Sequence, residues 1–157
     1  MSDNGNIVIG YMTDEFLMLD CDLKREDELI EFAKEYTKLY DLGSVLIMKT
    51  SDTSQIDLFG NRLGNYCIIF GKKLDWNEIK WHIQQAYKIG IVNKGFLAMR
   101  KFGTITIRVN AKNNKIPYPK IVYYYSYGNG KEDKIGIWTF MKFWATLKKE
   151  GRNISSI

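Results

Sequence analysis

Histidine and cysteine are scarce in this sequence. One histidine, His82, and two cysteines, Cys21 and Cys67, stand among 157 residues. That set excludes a zinc centre of the usual Cys/His kind. A Ser-His-Asp triad would have to use His82, and a replication-initiator site built on two histidines is excluded outright. No run of roughly 18 apolar residues occurs, so no transmembrane helix is expected. Residues 1–10 lack a basic segment leading into a long apolar stretch, so no secretory signal is expected and an intracellular setting is.

What is present is globular. Apolar residues make up 45% and charged residues 26%, ordinary usage for one folded domain. Charge is unevenly placed. Residues 1–35 hold ten acids and three bases, net −7, whereas residues 36–157 hold twenty bases and eight acids, net +12. An acidic opening on a basic remainder points to a nucleic-acid partner.

The pattern predicts a flexible stretch over 1–10, one α+β domain over 11–149 and a flexible tail over 150–157. Alternation predicts strands over Glu15–Asp22, Ser44–Thr50, Gly64–Gly71 and Pro119–Tyr127. A hairpin of two more is expected over 95–102 and 104–110. The polar stretch Ser51–Leu63 is expected to be a long, functional loop. A helix over Arg25–Asp41 would bury Leu29, Phe32, Ala33, Tyr36 and Leu39 and close at Gly43. A second, over Asp75–Ile89, opens on a capping box of Asp75 and Glu78, and its buried stripe is Ile79, Ile83, Ala86 and Tyr87. His82 is expected on its exposed side. A last helix, Ile135–Lys149, carries Trp138, Phe143 and Trp144, more aromatic surface than one face buries, and these are candidates for a homodimer contact. The order gives an RNA-recognition-like or ferredoxin-like βαββαβ sheet with helices on one face, an extra hairpin strand and a C-terminal helix.

Three constellations could carry chemistry. Asp20 and Asp22, at i and i+2 of a strand, share a face. Such a pair repels itself unless a cation such as Mg²⁺ neutralises it. The same residues would also serve as a helix N-cap (Asp22) and an ion-pair partner (Asp20). Lys49, Arg100 and Arg108 lie on expected strands and suit phosphates. Lys112 and Lys120 belong to the basic, polar stretch Asn110–Lys120, which runs into Tyr123, Tyr124, Tyr125 and Tyr127, bases and aromatics fit to follow a nucleic-acid strand.

The acid-x-acid pair on the first strand resembles that of the archaeo-eukaryotic primase and nucleotidyltransferase-like group. That group's second motif needs a histidine where this chain has Tyr66 and Cys67, which argues against templated polymerisation. In size and layout the chain also resembles a small nuclease of archaeal filamentous viruses. That resemblance implies a DNA nuclease acting on double-stranded DNA in the host cytoplasm, with an essential glutamate on the helix after the third strand. Glu78 opens that helix here, and Ala86 stands at its middle, as if replacing such an acid. Asp20 and Asp22 would hold the metal and Glu78 would join them. The alternative is a non-catalytic RNA-recognition-like binding module, or a dimerising structural protein.

Overall fold

The computed structural model describes residues 10–99, 105–108 and 120–128. The fold is α+β. In chain order it comprises β1 (Gly10–Thr13), β2 (Phe16–Lys24), α1 (Glu26–Tyr40), β3 (Val45–Ile56), β4 (Arg62–Lys73), α2 (Trp76–Lys88), α3 (Lys94–Met99), β5 (Ile105–Arg108) and β6 (Lys120–Tyr125).

Four strands form an antiparallel sheet in the order β2-β4-β3-β6, while β1 and β5 pair separately. β4 is inserted between β2 and β3, which flank α1 in sequence, so β2-α1-β3 is a split β-α-β unit. β6 joins at the β3 edge.

Register fixes the faces. Leu19, Ile68 and Ile47 lie abreast on β2, β4 and β3 and point toward the helices. Phe70, two residues on from Ile68, meets Tyr36 of α1 ring to ring. Met18, Ile69 and Leu46 lie abreast on the other face. All six are fully buried, so the upper part of the sheet is dry on both sides and its strands read as continuous apolar runs rather than alternating ones.

The helices follow local rules. Acids at Glu26, Asp27 and Glu28 open α1 and Lys38 lies in its last turn, both favourable to the helix dipole. Its C-cap is Asp41 in the left-handed region, two residues before Gly43. Leu29, Ala33, Tyr36 and Thr37 are buried, but Leu39 is 72% exposed and leaves the expected stripe. The capping box of α2 is as expected: Glu78 N–H donates to Asp75 Oδ1 at 2.8 Å, and Asp75 N–H donates back to Glu78 Oε1 at 3.2 Å.

Further expectations are corrected. Tyr87 is exposed and leaves the expected stripe of α2. Residues 94–99 are helical, not a strand. Asn93 caps that turn, accepting Phe96 N–H at 2.9 Å, and Phe96 is buried in the core. Most of the expected loop 51–63 is strand, because β3 and β4 run on as a two-stranded ribbon around a tight turn. His82 is buried, not exposed. The expected C-terminal helix with Trp138, Phe143 and Trp144 lies outside the described residues. Among the described residues no helix is long and apolar enough to cross a membrane.

Candidate nucleic-acid interface

The lower end of the sheet is polar. There the apolar run of each strand gives way: Asp22 on β2, Asn65 on β4, Lys49 and Ser51 on β3, and Lys120 on β6. Hydrogen bonds tie this rim together. The side-chain oxygen of Asn65 accepts the Leu23 backbone N–H at 3.0 Å, and its amide donates to Ser51 Oγ at 2.8 Å. Asn65 thus braces β2 to β3. Leu23 itself has φ +55°, a left-handed residue inside the bulge that ends β2.

Lys49 and Lys120 are directly opposed in the β3–β6 register. Like charges so placed disfavour the pairing unless an anion lies between them. Asp52 answers one of them, forming an ion pair with Lys49 at 2.5 Å. Lys49 holds that carboxyl below its ordinary range, with Arg62 and Lys120 adding to the effect. Among the described residues no carboxylate forms an ion pair with Lys120. A cleft of about 200 Å³ opens here, lined by Lys49, Thr50, Ser51, Lys120 and the carboxylates of Glu26 and Asp52. Glu26 accepts from the hydroxyl of Tyr66 at 3.2 Å. Burial and that neighbouring carboxylate push the Tyr66 phenol up to about 12, so it stays a donor at neutral pH.

The acidic pair is only partly gathered. Asp20 and Asp22 are both exposed. Asp20 lies abreast of Cys67 and Met48, on the face turned away from the helices. Asp22 lies at the rim, where its Oδ2 accepts from Asn93 Nδ2 at 3.3 Å. It is not a helix cap: Arg25 holds that position, without a side-chain cap bond. Asp22 falls in the irregular segment between Cys21 and Lys24, past the regular ladder that holds Asp20. The oxygen-donor chemistry fits an ion such as Mg²⁺, although no group of three His, Cys, Asp or Glu gathers among the described residues.

The two positions on α2 are separated. Glu78 sits at the helix start, beside the end of β4, with its carboxylate committed to the capping box. Ala86 is fully buried in the core, against the sheet. It lies one turn before Gly90, whose carbonyl accepts from Lys24 Nζ at 2.7 Å. Position 86 is therefore at the rim end of α2 and Glu78 at the opposite end.

His82 lines a separate, open cleft of about 550 Å³ with Tyr40, Trp81 and Glu78. Its Nδ1 stands 2.7 Å from the Tyr36 hydroxyl. Burial pushes the imidazole down to about 4 and the Tyr36 phenol up. Both directions keep the imidazole and the phenol neutral at pH 7, so the two share one neutral hydrogen bond. An unfolded histidine takes its proton near 6.5, so the unfolded chain binds more protons between pH 6.5 and 4. Stability is then full above pH 6.5 and lost as pH falls toward 4, by about 1–2 kcal/mol after allowing for the solvent that reaches the ring. Thermal melts at pH 7.0 and 4.5 check this: the drop between them is expected to shrink in His82→Gln.

The tyrosines divide between faces. Tyr125 stacks on Tyr127 with ring centres 6.2 Å apart and lies under the ammonium groups of Lys34 and Lys38. Tyr124 is the exposed one of the run on β6. Arg100 and Lys112 lie outside the described residues. Arg108 ends β5, paired with Gly10.

Sequence reasoning missed Asn65 and Arg62, and it missed the arm that residues 51–63 build. The dense turn residues from Asp57 to Asn61 are the signal that locates its tip. No family model, characterised protein or solved structure matches the chain.

Proposed function

We propose that the protein acts on DNA: the rim grips the phosphate backbone, and the adjoining acids serve a metal-assisted nuclease. The observation that carries this reading is the opposed pair Lys49 and Lys120, of which Lys49 alone forms an ion pair among the described residues, at the rim where Asp22 also lies. A phosphate would be the ion-pair partner of Lys120. Thr50 and Ser51 hydroxyls beside the lysines suit its remaining oxygens.

Asp20 and Asp22 would hold Mg²⁺, which when bound polarises a phosphoryl oxygen and lowers the pKa of a coordinated water. Asn93 steadies Asp22, and Lys49 with Lys120 offset the charge that develops on the phosphate. Ala86 is fully buried in the core, so position 86 brings no acid to the rim and the metal-holding role rests on Asp20 and Asp22.

One observation favours the second reading, a binding module without catalysis: Glu78 is committed to its cap and Ala86 carries no acid, so α2 brings no carboxylate to the rim.

Binding is tested on a labelled DNA duplex at several salt concentrations. Lys49→Ala with Lys120→Ala is expected to weaken binding about tenfold and to lower the salt slope by about 2. An unchanged slope would remove these lysines from the interface.

A further inference from the structure

Residues 53–63 form an arm. β2 last pairs with β4 at Gly64, and β6 last pairs with β3 at Lys49. The ribbon beyond has no neighbour on either edge among the described residues, and its four β3 residues from Thr53 to Ile56 carry it roughly 13 Å outward.

The tip is apolar and fully presented. Leu58 is 100% exposed, Phe59 85% and Ile56 63%. Three large apolar side chains within four residues are costly to leave in water. The tip is also held rigid. The Asp57 carboxylate accepts Phe59 N–H at 2.8 Å, Asn61 N–H at 2.9 Å and the Asn61 amide at 3.1 Å. Those bonds, that of the Asn61 backbone N–H foremost, hold its pKa below the ordinary range. Asp57 N–H donates to Asn61 O at 2.9 Å, and Gly60 takes the left-handed turn position at φ +84°. Lower down, Thr53 Oγ1 donates to Leu63 O at 2.6 Å, pinning the two strands together.

We infer that the arm is a wedge: it inserts Phe59, flanked by Leu58, into the base stack of DNA bound along the rim. This rests on the DNA reading above and adds a mode of engagement to it. Charge at the base of the arm leans positive: Lys49 and Lys120 line its cleft against Asp52 and Glu26, and Arg62 adds a third cation at the foot of β4. Composition favours nucleic acid over a bilayer. Only the tip is apolar, whereas Thr53, Ser54, Gln55, Asn61 and Arg62 offer hydrogen-bonding groups along the shaft, as groove walls require. Apolar side chains driven between base steps unstack them and kink the duplex. The turn is already ordered, so insertion costs little further ordering of this segment.

The experiment uses the full chain and a linear duplex carrying an internal 2-aminopurine. Binding is read by anisotropy and unstacking by 2-aminopurine fluorescence. Wild type is expected to bind and to raise the fluorescence severalfold. Leu58→Ala with Phe59→Ala, whose side chains touch solvent, is expected to keep the wild-type melting temperature. It should bind about tenfold more weakly and abolish the fluorescence rise. Duplex binding by wild type without a fluorescence rise, or a rise that the double variant retains, would overturn the wedge while leaving the DNA reading intact. Absence of duplex binding by wild type would overturn both. In a parallel arm with phosphatidylserine vesicles, vesicle binding that the double variant loses while its duplex binding and fluorescence stay unchanged would assign the tip to a bilayer and overturn the wedge.

Discussion

Replacing Asp20 and Asp22 together by asparagine is expected to abolish metal-dependent DNA cleavage, a fall of about a thousandfold or more, while leaving duplex binding in place. The change is nearly isosteric, and both residues are exposed, so the fold is expected to survive. It removes two negative charges beside the rim proposed to meet an anionic backbone, so affinity is expected to hold or rise. The two outcomes separate catalysis from recognition: cleavage tracks the acids, and binding tracks Lys49 and Lys120. Cleavage that persists undiminished in the double variant would remove the acids from the mechanism. The single variants rank them. Asp22 is braced by Asn93 at the rim, whereas Asp20 faces away from the helices, so Asp22→Asn is expected to carry the larger loss.

The second large effect is on stability. Ile68→Ala is expected to cost about 3–4 kcal/mol and to lower the melting temperature by roughly 10 °C. Ile68 sits on β4, a central strand, abreast of Leu19 and Ile47, and is fully buried. Its neighbours belong to paired strands fixed by ladder hydrogen bonds and cannot collapse into the cavity. Truncation therefore loses both transfer energy and packing. Calorimetry or circular dichroism reads the shift. A change below about 1 kcal/mol would mean that the sheet at this point is not the packed centre described above.

Local signals carried well from sequence to structure, and non-local ones did not. The Asp75–Glu78 capping box is a four-residue pattern with one physical solution, and α2 begins where that pattern says. Leu19 faces the helices while Met18 and Asp20 face away, because strand alternation is a local rule. The segment 94–99 misled because Phe96, Ala98 and Arg100 alternate acceptably for a strand. Its helical outcome depends on Asn93 capping the turn and on Phe96 reaching the core. Ser51–Leu63 misled through composition: Ser, Thr, Asp and Gln look loop-like, yet a ribbon with both faces wet needs no apolar alternation. Strand order was beyond reach, since a strand's sequence states which faces are buried and not which neighbour lies beside it.

The candidate site shows the same division. The lysines could be placed on strands from sequence. That Lys49 faces Lys120 is a matter of register, settled only by the β3–β6 pairing. The acids could be placed on one strand, yet their relation to Glu78 and position 86 depends on which end of α2 meets the rim. A lone histidine on a helix is more often exposed than buried, so the sequence places His82 on the surface. Its burial comes from Tyr36, 46 residues away, which no local pattern encodes.

The most direct test of the account is cleavage itself. The chain and its Asp20→Asn, Asp22→Asn form are each incubated with linear double-stranded DNA, with Mg²⁺ and with chelator, and products are resolved on a denaturing gel alongside a binding assay. The account predicts duplex binding by both forms and metal-dependent cleavage by the native chain alone. Binding by both with no metal-dependent product from either would contradict the nuclease and leave a DNA-binding module.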